Sequence, residues 1–151
     1  MSVRLSPDEA WTVVEASHTG IFTSLRRDGV PVALPIWFVV LERRIYVSGP
    51  ATAKRVARVR RDPRVSFLVE SGKRWAELLA VHLTGRARVV TEPALLARVA
   101  AALDAKYASF RTQRTAMRAA TRVALATIEI TPDEHILSWD NARLGLGRAP
   151  R

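Results

Sequence analysis

The chain has 151 residues, is 48% hydrophobic and contains no cysteine; 24 Lys+Arg against 14 Asp+Glu give a formal charge of +10. That size and apolar content suit one folding unit with a real core and exclude a disordered chain, and the missing cysteines exclude disulfides, thiolate metal sites and thiol catalysis. The positive balance favours polyanionic partners (nucleic acid, anionic lipid, or a phosphorylated or carboxylate-rich small molecule), but arginine greatly outnumbers lysine, as in GC-rich genomes, so part of the excess is compositional.

Residues 1–9 hold no apolar signal core, and no apolar run is long enough to span a bilayer, so a soluble cytoplasmic protein with no membrane partner is expected. Ser6-Pro7-Asp8-Glu9 predicts a capped helix start, followed by an apolar stripe of Ala10, Trp11, Val13 and Val14. A strand is predicted over 21–26, an Asp28-Gly29 hairpin turn, and a long second strand over 30–41. Pro31 and Pro35 make that strand an edge or a bulged one, because proline cannot donate to a ladder. A third strand, 45–48, breaks at Gly49-Pro50. A helix over 52–61 then interleaves Ala53, Val56, Ala57 and Val59 with Lys54, Arg55, Arg58, Arg60 and Arg61, and Asp62-Pro63 ends it.

A fourth strand at 65–70 and a turn at Ser71-Gly72-Lys73 lead into a fifth strand over about 75–90. There Val81, Leu83, Ala87 and Val89 share one face, with His82, Thr84, Arg86 and Arg88 on the other. Gly85 falls in the apolar phase and predicts a bulge or a close backbone approach. A helix that starts at Thr91-Glu92-Pro93 and runs to about Tyr107, a weak helical signal at 115–122, a sixth strand at 125–130, a short seventh at 136–139 and a tail at 141–151 complete the chain. No repeat or linker interrupts it, so residues 1–151 are expected to form a single domain, mainly β with helices, around a six-to-seven-stranded antiparallel closed sheet.

Most catalytic signatures are missing. Gly145-Leu146-Gly147 follows no strand and is not a phosphate loop. His18, His82 and His135 have no ligand spacing, so no metal site is expected, and no serine sits in a nucleophile elbow. One segment stands out. At Ser48-Gly49-Pro50-Ala51-Thr52-Ala53-Lys54-Arg55 a strand ends and a helix begins with a hydroxyl, free N–H groups and two cations, which is the recipe for an anion site. The solvated face of an amphipathic helix accounts for the same cations equally well.

The order of these elements, with Lys54-Arg55, Arg60-Arg61-Asp62-Pro63-Arg64-Val65, Trp75, Thr84-Gly85 and the closing Leu137-Ser138-Trp139-Asp140, resembles the pyridoxamine 5′-phosphate oxidase-like superfamily. Within it the chain is similar to the small actinobacterial flavin and deazaflavin oxidoreductases, over roughly residues 6–139. The resemblance implies an FMN-binding split β-barrel, a homodimer with cofactor sites at the interface, and a small-molecule substrate. It also implies a cofactor phosphate on Lys54 and Arg55, with Ser48 and Thr52 as hydroxyl partners. The flavin-type ring would lie along Leu34, Pro35, Ile36 and Trp37, with Trp75 nearby. Arg58 departs from the family pattern, where asparagine is common, and the substrate-phosphate residues of vitamin B6 oxidases are not found.

The function implied is hydride transfer between a flavin-type ring and an organic substrate, with no dedicated catalytic acid or base. Coenzyme F420 is preferred to FMN because its oligoglutamate tail suits a basic chain. The alternatives are an FMN-dependent oxidoreductase of the same fold and a non-catalytic cofactor or tetrapyrrole carrier. A nucleic-acid module, motivated only by charge, lacks a recognition helix and a stacking platform. His82 could donate to a bound molecule, and Arg86 and Arg88 could line a groove for acidic groups.

Overall fold

The structure, a computed structural model, describes residues 2–111 and 123–145. Helix α1 (Pro7–Ala16) starts as its sequence requires, with Ser6 as N-cap and a capping box to Glu9. Strands β1 (Gly20–Leu25), β2 (Pro31–Ile36), β3 (Val39–Leu41), β4 (Arg44–Pro50), β5 (Arg64–Ser71), β6 (Leu79–Val89) and β7 (Leu125–Asp140) form one seven-stranded sheet in the order β2-β1-β5-β6-β7-β4-β3. Every described pairing is antiparallel. Helix α2 (Lys54–Arg61) follows β4 and helix α3 (Pro93–Tyr107) follows β6.

The two edge strands, β2 and β3, are consecutive in the chain and separated only by Trp37 and Phe38. The curled sheet is therefore closed by the chain itself and not by a ladder, which leaves a split between β2 and β4. The proline-bearing segment 30–41 is thus not one strand along a single neighbour. Its first half pairs with β1 and its second with β4, and the bend at Trp37-Phe38 is where it changes partner. The prolines fit this geometry. Arg26 N–H donates to Val30 C=O at 2.9 Å, so Val30 and alternate residues after it carry the bonds to β1. Pro31 and Pro35 occupy the opposite phase, whose backbone groups face the open edge, so neither costs a ladder bond.

Three other boundaries move. Gly49 and Pro50 do not break β4 but pair with Ala126 and Leu125. The expected sixth and seventh strands are one long strand, β7, whose first half pairs with β4 and whose second half pairs with β6. It reads as two because of a bulge, where Thr84 alone faces Asp133, Glu134 and His135 between the pairs Leu83↔Ile136 and Gly85↔Pro132. Residues 141–144, expected to begin a tail, form a short 3-10 turn. It is tied down by Asn141 N–H to Leu78 C=O at 2.9 Å and by Arg143 to the Arg4 carbonyl at 3.0 Å. The helical signal at 115–122 and the tail from 146 onward lie outside the described residues.

The inner face of the sheet carries Phe22, Phe67, Val69, Val81, Leu83, Ile128 and Ile130, closed by Trp11 and Val14 of α1 and by Val56 and Val59 of α2. A second apolar group under α3 joins Val39, Tyr46, Val90 and Val99. Gly85 confirms its expected role: a Cβ there would run into the Thr131 carbonyl and lie 2.9 Å from Pro132 Cα. Both obstacles are backbone, so Gly85→Ala is expected to destabilise the protein by about 2–3 kcal/mol. Chemical denaturation would show this as a lower midpoint at unchanged slope.

Candidate functional site

The split is bounded by the open edge of β2 and by the end of β4. Val39 pairs with Tyr46, and continuing that register would set Trp37 opposite Ser48 and Ile36 opposite Gly49; β2 instead swings away to β1. Backbone groups of Ala33, Pro35 and Trp37 therefore face the open edge. The chain runs from Pro50 through a turn at 51–53 into α2, so Lys54 and Arg55 follow closely on the strand end that carries Ser48 and Gly49.

The cations differ in setting. Lys54, the first residue of α2, is exposed. Arg55 is half-buried, and its guanidinium lies directly on Gly49, where any side chain would collide with it. It makes no hydrogen bond or ion pair to another described residue, and burial lowers its pKa. A half-buried cation left without an anion is costly unless a ligand supplies one. Ser48 is placed otherwise. Strand alternation sends it to the face opposite Gly49, where its hydroxyl meets that of Thr127 at 2.9 Å. The helix begins at Lys54 and not at Thr52. Ala53 is the N-cap with no side-chain cap bond and Thr52 is an exposed turn residue; Val56 N–H donates to the Ala53 carbonyl at 2.9 Å, while the amides of Lys54 and Arg55 have no partner among the described residues.

Along β2, Leu34 and Pro35 are exposed while Ile36 and Trp37 are half-buried. Trp75 is not in a strand. It opens a 3-10 turn, Trp75–Glu77, ahead of β6, stands 60% exposed, and its carbonyl accepts from the Asn141 amide at 2.8 Å. Among the described residues no hydrogen bond or ring contact links it to the split. His82 lies on the outer sheet face in a cross-strand row with Leu68 and Leu137. Arg86 and Arg88 do line a groove, an open one of about 340 Å³ shared with Pro63, Thr131, Pro132 and Asp133. Arg88, however, is already paired with Glu129 and Glu92.

Sequence reasoning missed His18, Lys106 and Tyr107. The Trp37 and Tyr107 rings stack at 4.4 Å and 2°, and His18 stands edge-on to both at 5.8 and 5.2 Å. The Tyr107 hydroxyl accepts the Phe38 N–H at 2.9 Å and faces the carbonyls of His18 at 2.7 Å and Phe38 at 2.9 Å. Lys106 Nζ donates to the carbonyls of Ser17 at 2.7 Å and Phe38 at 3.0 Å, and lies 3.9 Å over the Phe38 ring. Burial pushes its pKa down to about 8. The available signal was faint: Lys106 is one of only three lysines, set beside a tyrosine at a helix end.

Among the described residues no helix is long and apolar enough to cross a membrane, and no cluster of His, Asp and Glu could hold a metal ion. No curated protein sequence matches the chain. Among solved structures, a conserved hypothetical protein from Mycobacterium tuberculosis is 28% identical, covering 99% of this chain and 94% of that one, with a TM-score of 0.84. The FAD-binding protein of Mycobacterium smegmatis is 20% identical, with 89% and 95% coverage and a TM-score of 0.64. The heme storage protein HutZ of Vibrio cholerae is 13% identical, with 92% and 96% coverage and a TM-score of 0.71. The last two share the fold. The family model described as pyridoxamine 5′-phosphate oxidase matches residues 6–134, and with the seven-stranded split sheet this places the chain in the pyridoxamine 5′-phosphate oxidase-like split-barrel family.

Proposed function

We propose that the chain binds a flavin-type cofactor, coenzyme F420 in preference to FMN, in the split between β2 and β4. There it serves as an oxidoreductase acting on a small organic substrate. The observation that carries this reading is Arg55, a half-buried cation that lies on Gly49 near the end of β4 and has no anion among the described residues. A phosphate there would be met by Arg55, Lys54 and the amides of Lys54 and Arg55, with the exposed Thr52 hydroxyl close in the chain. The ring edge would be held by the backbone groups of Pro35 and Trp37, flanked by Leu34 and Ile36. When bound, the cofactor supplies the hydride chemistry; the chain supplies position, charge and exclusion of water. The exposed cations of α2, Arg60 and Arg61 among them, suit a polyanionic tail.

The same reading places a second copy of this chain on the outer sheet face, where Pro35, Ile21, Leu68, His82 and Leu137 form one cross-strand row. A non-catalytic carrier is the second reading, favoured by the fold shared with a heme storage protein.

Titration of the purified chain with F420, FMN and haem, followed by absorbance at rising salt, tests these readings. F420 binding that weakens with salt, in a sample that scatters light as a dimer, is the expected result. FMN binding alone would shift the assignment to the FMN enzyme. Binding without reoxidation of the reduced cofactor by any acceptor would favour the carrier. Binding of none of the three would overturn both.

A further inference from the structure

The bend that creates the split has its own device. Gly20 pairs with Ile36 at the end of the β1–β2 ladder, and the next bonded pair in that register would be His18 with Phe38. Such a pair would keep the chain on β1 and prevent it from reaching β4. The pair does not form. The Tyr107 hydroxyl stands between its two members, taking the Phe38 N–H at 2.9 Å and reaching the His18 carbonyl at 2.7 Å. Two hydrogen bonds through one oxygen span nearly twice the distance of a single ladder bond, so the strands splay while their buried polar groups stay satisfied. Lys106 repeats the arrangement one step on, bridging the carbonyls of Ser17 and Phe38. An ammonium with three donors and no acceptor suits a place where only carbonyls remain.

We propose that Lys106 and Tyr107 are positioning residues of the cofactor cleft: they wedge β1 apart from the bend at Trp37-Phe38, hold the split open, and fix Trp37 as its wall. This inference rests on the cofactor reading above. The wedge acts at two levels. Its polar atoms set where the backbone leaves β1, and its ring sets the plane of Trp37, stacked on Tyr107 at 2° with His18 closing the edge. Tyr107 is fully buried, so its hydroxyl cannot be replaced from bulk water without reopening the junction.

The test is Tyr107→Phe, which keeps the stacked ring and removes only the bridging oxygen, with Lys106→Met as the second variant should the first fail to fold. Amide hydrogen exchange at Phe38 reads the wedge without any cofactor, and titration with F420 and with FMN reads the cleft. In the variant, Phe38 exchange is expected to speed up while amides of Val69 and Val81 in the sheet centre keep their protection. Affinity for whichever cofactor the parent binds should fall about tenfold, the share of one hydrogen bond. The bound cofactor's absorbance band should also shift, which a purely structural role would not cause, and Lys106→Arg should retain parent affinity where Lys106→Met does not. Faster exchange with unchanged affinity and spectrum would overturn the positioning role, and unchanged exchange would overturn the wedge itself. Failure of the parent protein to bind either cofactor would instead sink the cofactor reading on which the inference stands.

Discussion

Replacing Arg55 with alanine should weaken cofactor binding by about tenfold or more, the loss of one charge-assisted hydrogen bond to a phosphate, and leave the thermal midpoint unchanged or slightly raised. The two effects have a common origin. In the free protein the guanidinium is half-buried on Gly49 with no described partner, and burial depresses its pKa. Its desolvation is a cost that the fold carries without return. An arginine placed for packing or for a salt bridge would show the reverse pattern, with stability falling and binding untouched. Adding Lys54→Ala should weaken binding further, but by less, because Lys54 is exposed and its charge is screened. Calorimetric titration with FMN and F420, together with thermal unfolding of the apo-proteins, separates the outcomes. A destabilised Arg55→Ala protein with parent affinity would show that the arginine is structural and that the phosphate is bound elsewhere.

The parts of this molecule that could be read from the sequence are those set by near neighbours in the chain. The capping box at Ser6 and Glu9 is a matter of three residues, and it forms as expected. The alternation over Val81, Leu83 and Ala87 against His82, Thr84 and Arg86 needs only a strand's period, and Gly85 needs only a backbone approaching from one side. Lys54-Arg55 stood out in the sequence as candidate anion-binding cations, but which of the two is buried did not. That depends on Gly49 lying beneath α2, a contact between elements. The change of partner at Trp37-Phe38 was hidden for a related reason. Prolines reveal that ladder bonds are missing on one side of a strand, and say nothing of a strand that serves both edges of a sheet. Lys106 and Tyr107 were hidden further still. They act through carbonyls and an N–H at Ser17, His18 and Phe38, and backbone groups leave no mark in a sequence. β7 was divided in two because Thr131-Pro132-Asp133-Glu134-His135, where the chain bulges opposite Thr84, offers no apolar residue beyond a proline and interrupts the strand pattern.

The second large effect should come from Glu129, whose side chain is only 3% exposed although it carries a charge. It stands in a cross-strand row with Arg88 on β6 and Tyr46 on β4. Arg88 Nε donates to it at 2.8 Å, the Tyr46 hydroxyl at 2.7 Å, and Arg44 approaches to 3.5 Å. Burial alone would push its pKa up, but the bonds from Arg88 and Tyr46 win, and the carboxyl ends below its ordinary value of 4.5. Burial and this same contact drive Tyr46 up to about 12. Truncation to alanine strands a buried phenol and strips Arg88 of its buried partner. Removing one member of a buried charged pair costs about 3–5 kcal/mol, and since Arg88 and Arg44 are half in solvent and Arg88 keeps Glu92, the lower end applies to Glu129→Ala. In thermal unfolding that is a fall of roughly 6–12 °C for a chain of this size. The pH dependence follows with a definite sign. A carboxyl with a depressed folded pKa stabilises fully above its unfolded value and loses that contribution as pH falls through the folded one. Stability of the parent protein should therefore decline on acidification below about 4.5 partly through Glu129, and Glu129→Gln should remove that part of the acid slope while costing less at neutral pH than alanine. Equal acid slopes in the parent and Glu129→Gln proteins, or an alanine variant as stable as the parent, would mean that the row of Arg88, Glu129 and Tyr46 contributes no net stability. In that case the outer face under α3 would be held by its apolar packing, Val39, Val90 and Val99 with Leu95, Leu96 and Leu103.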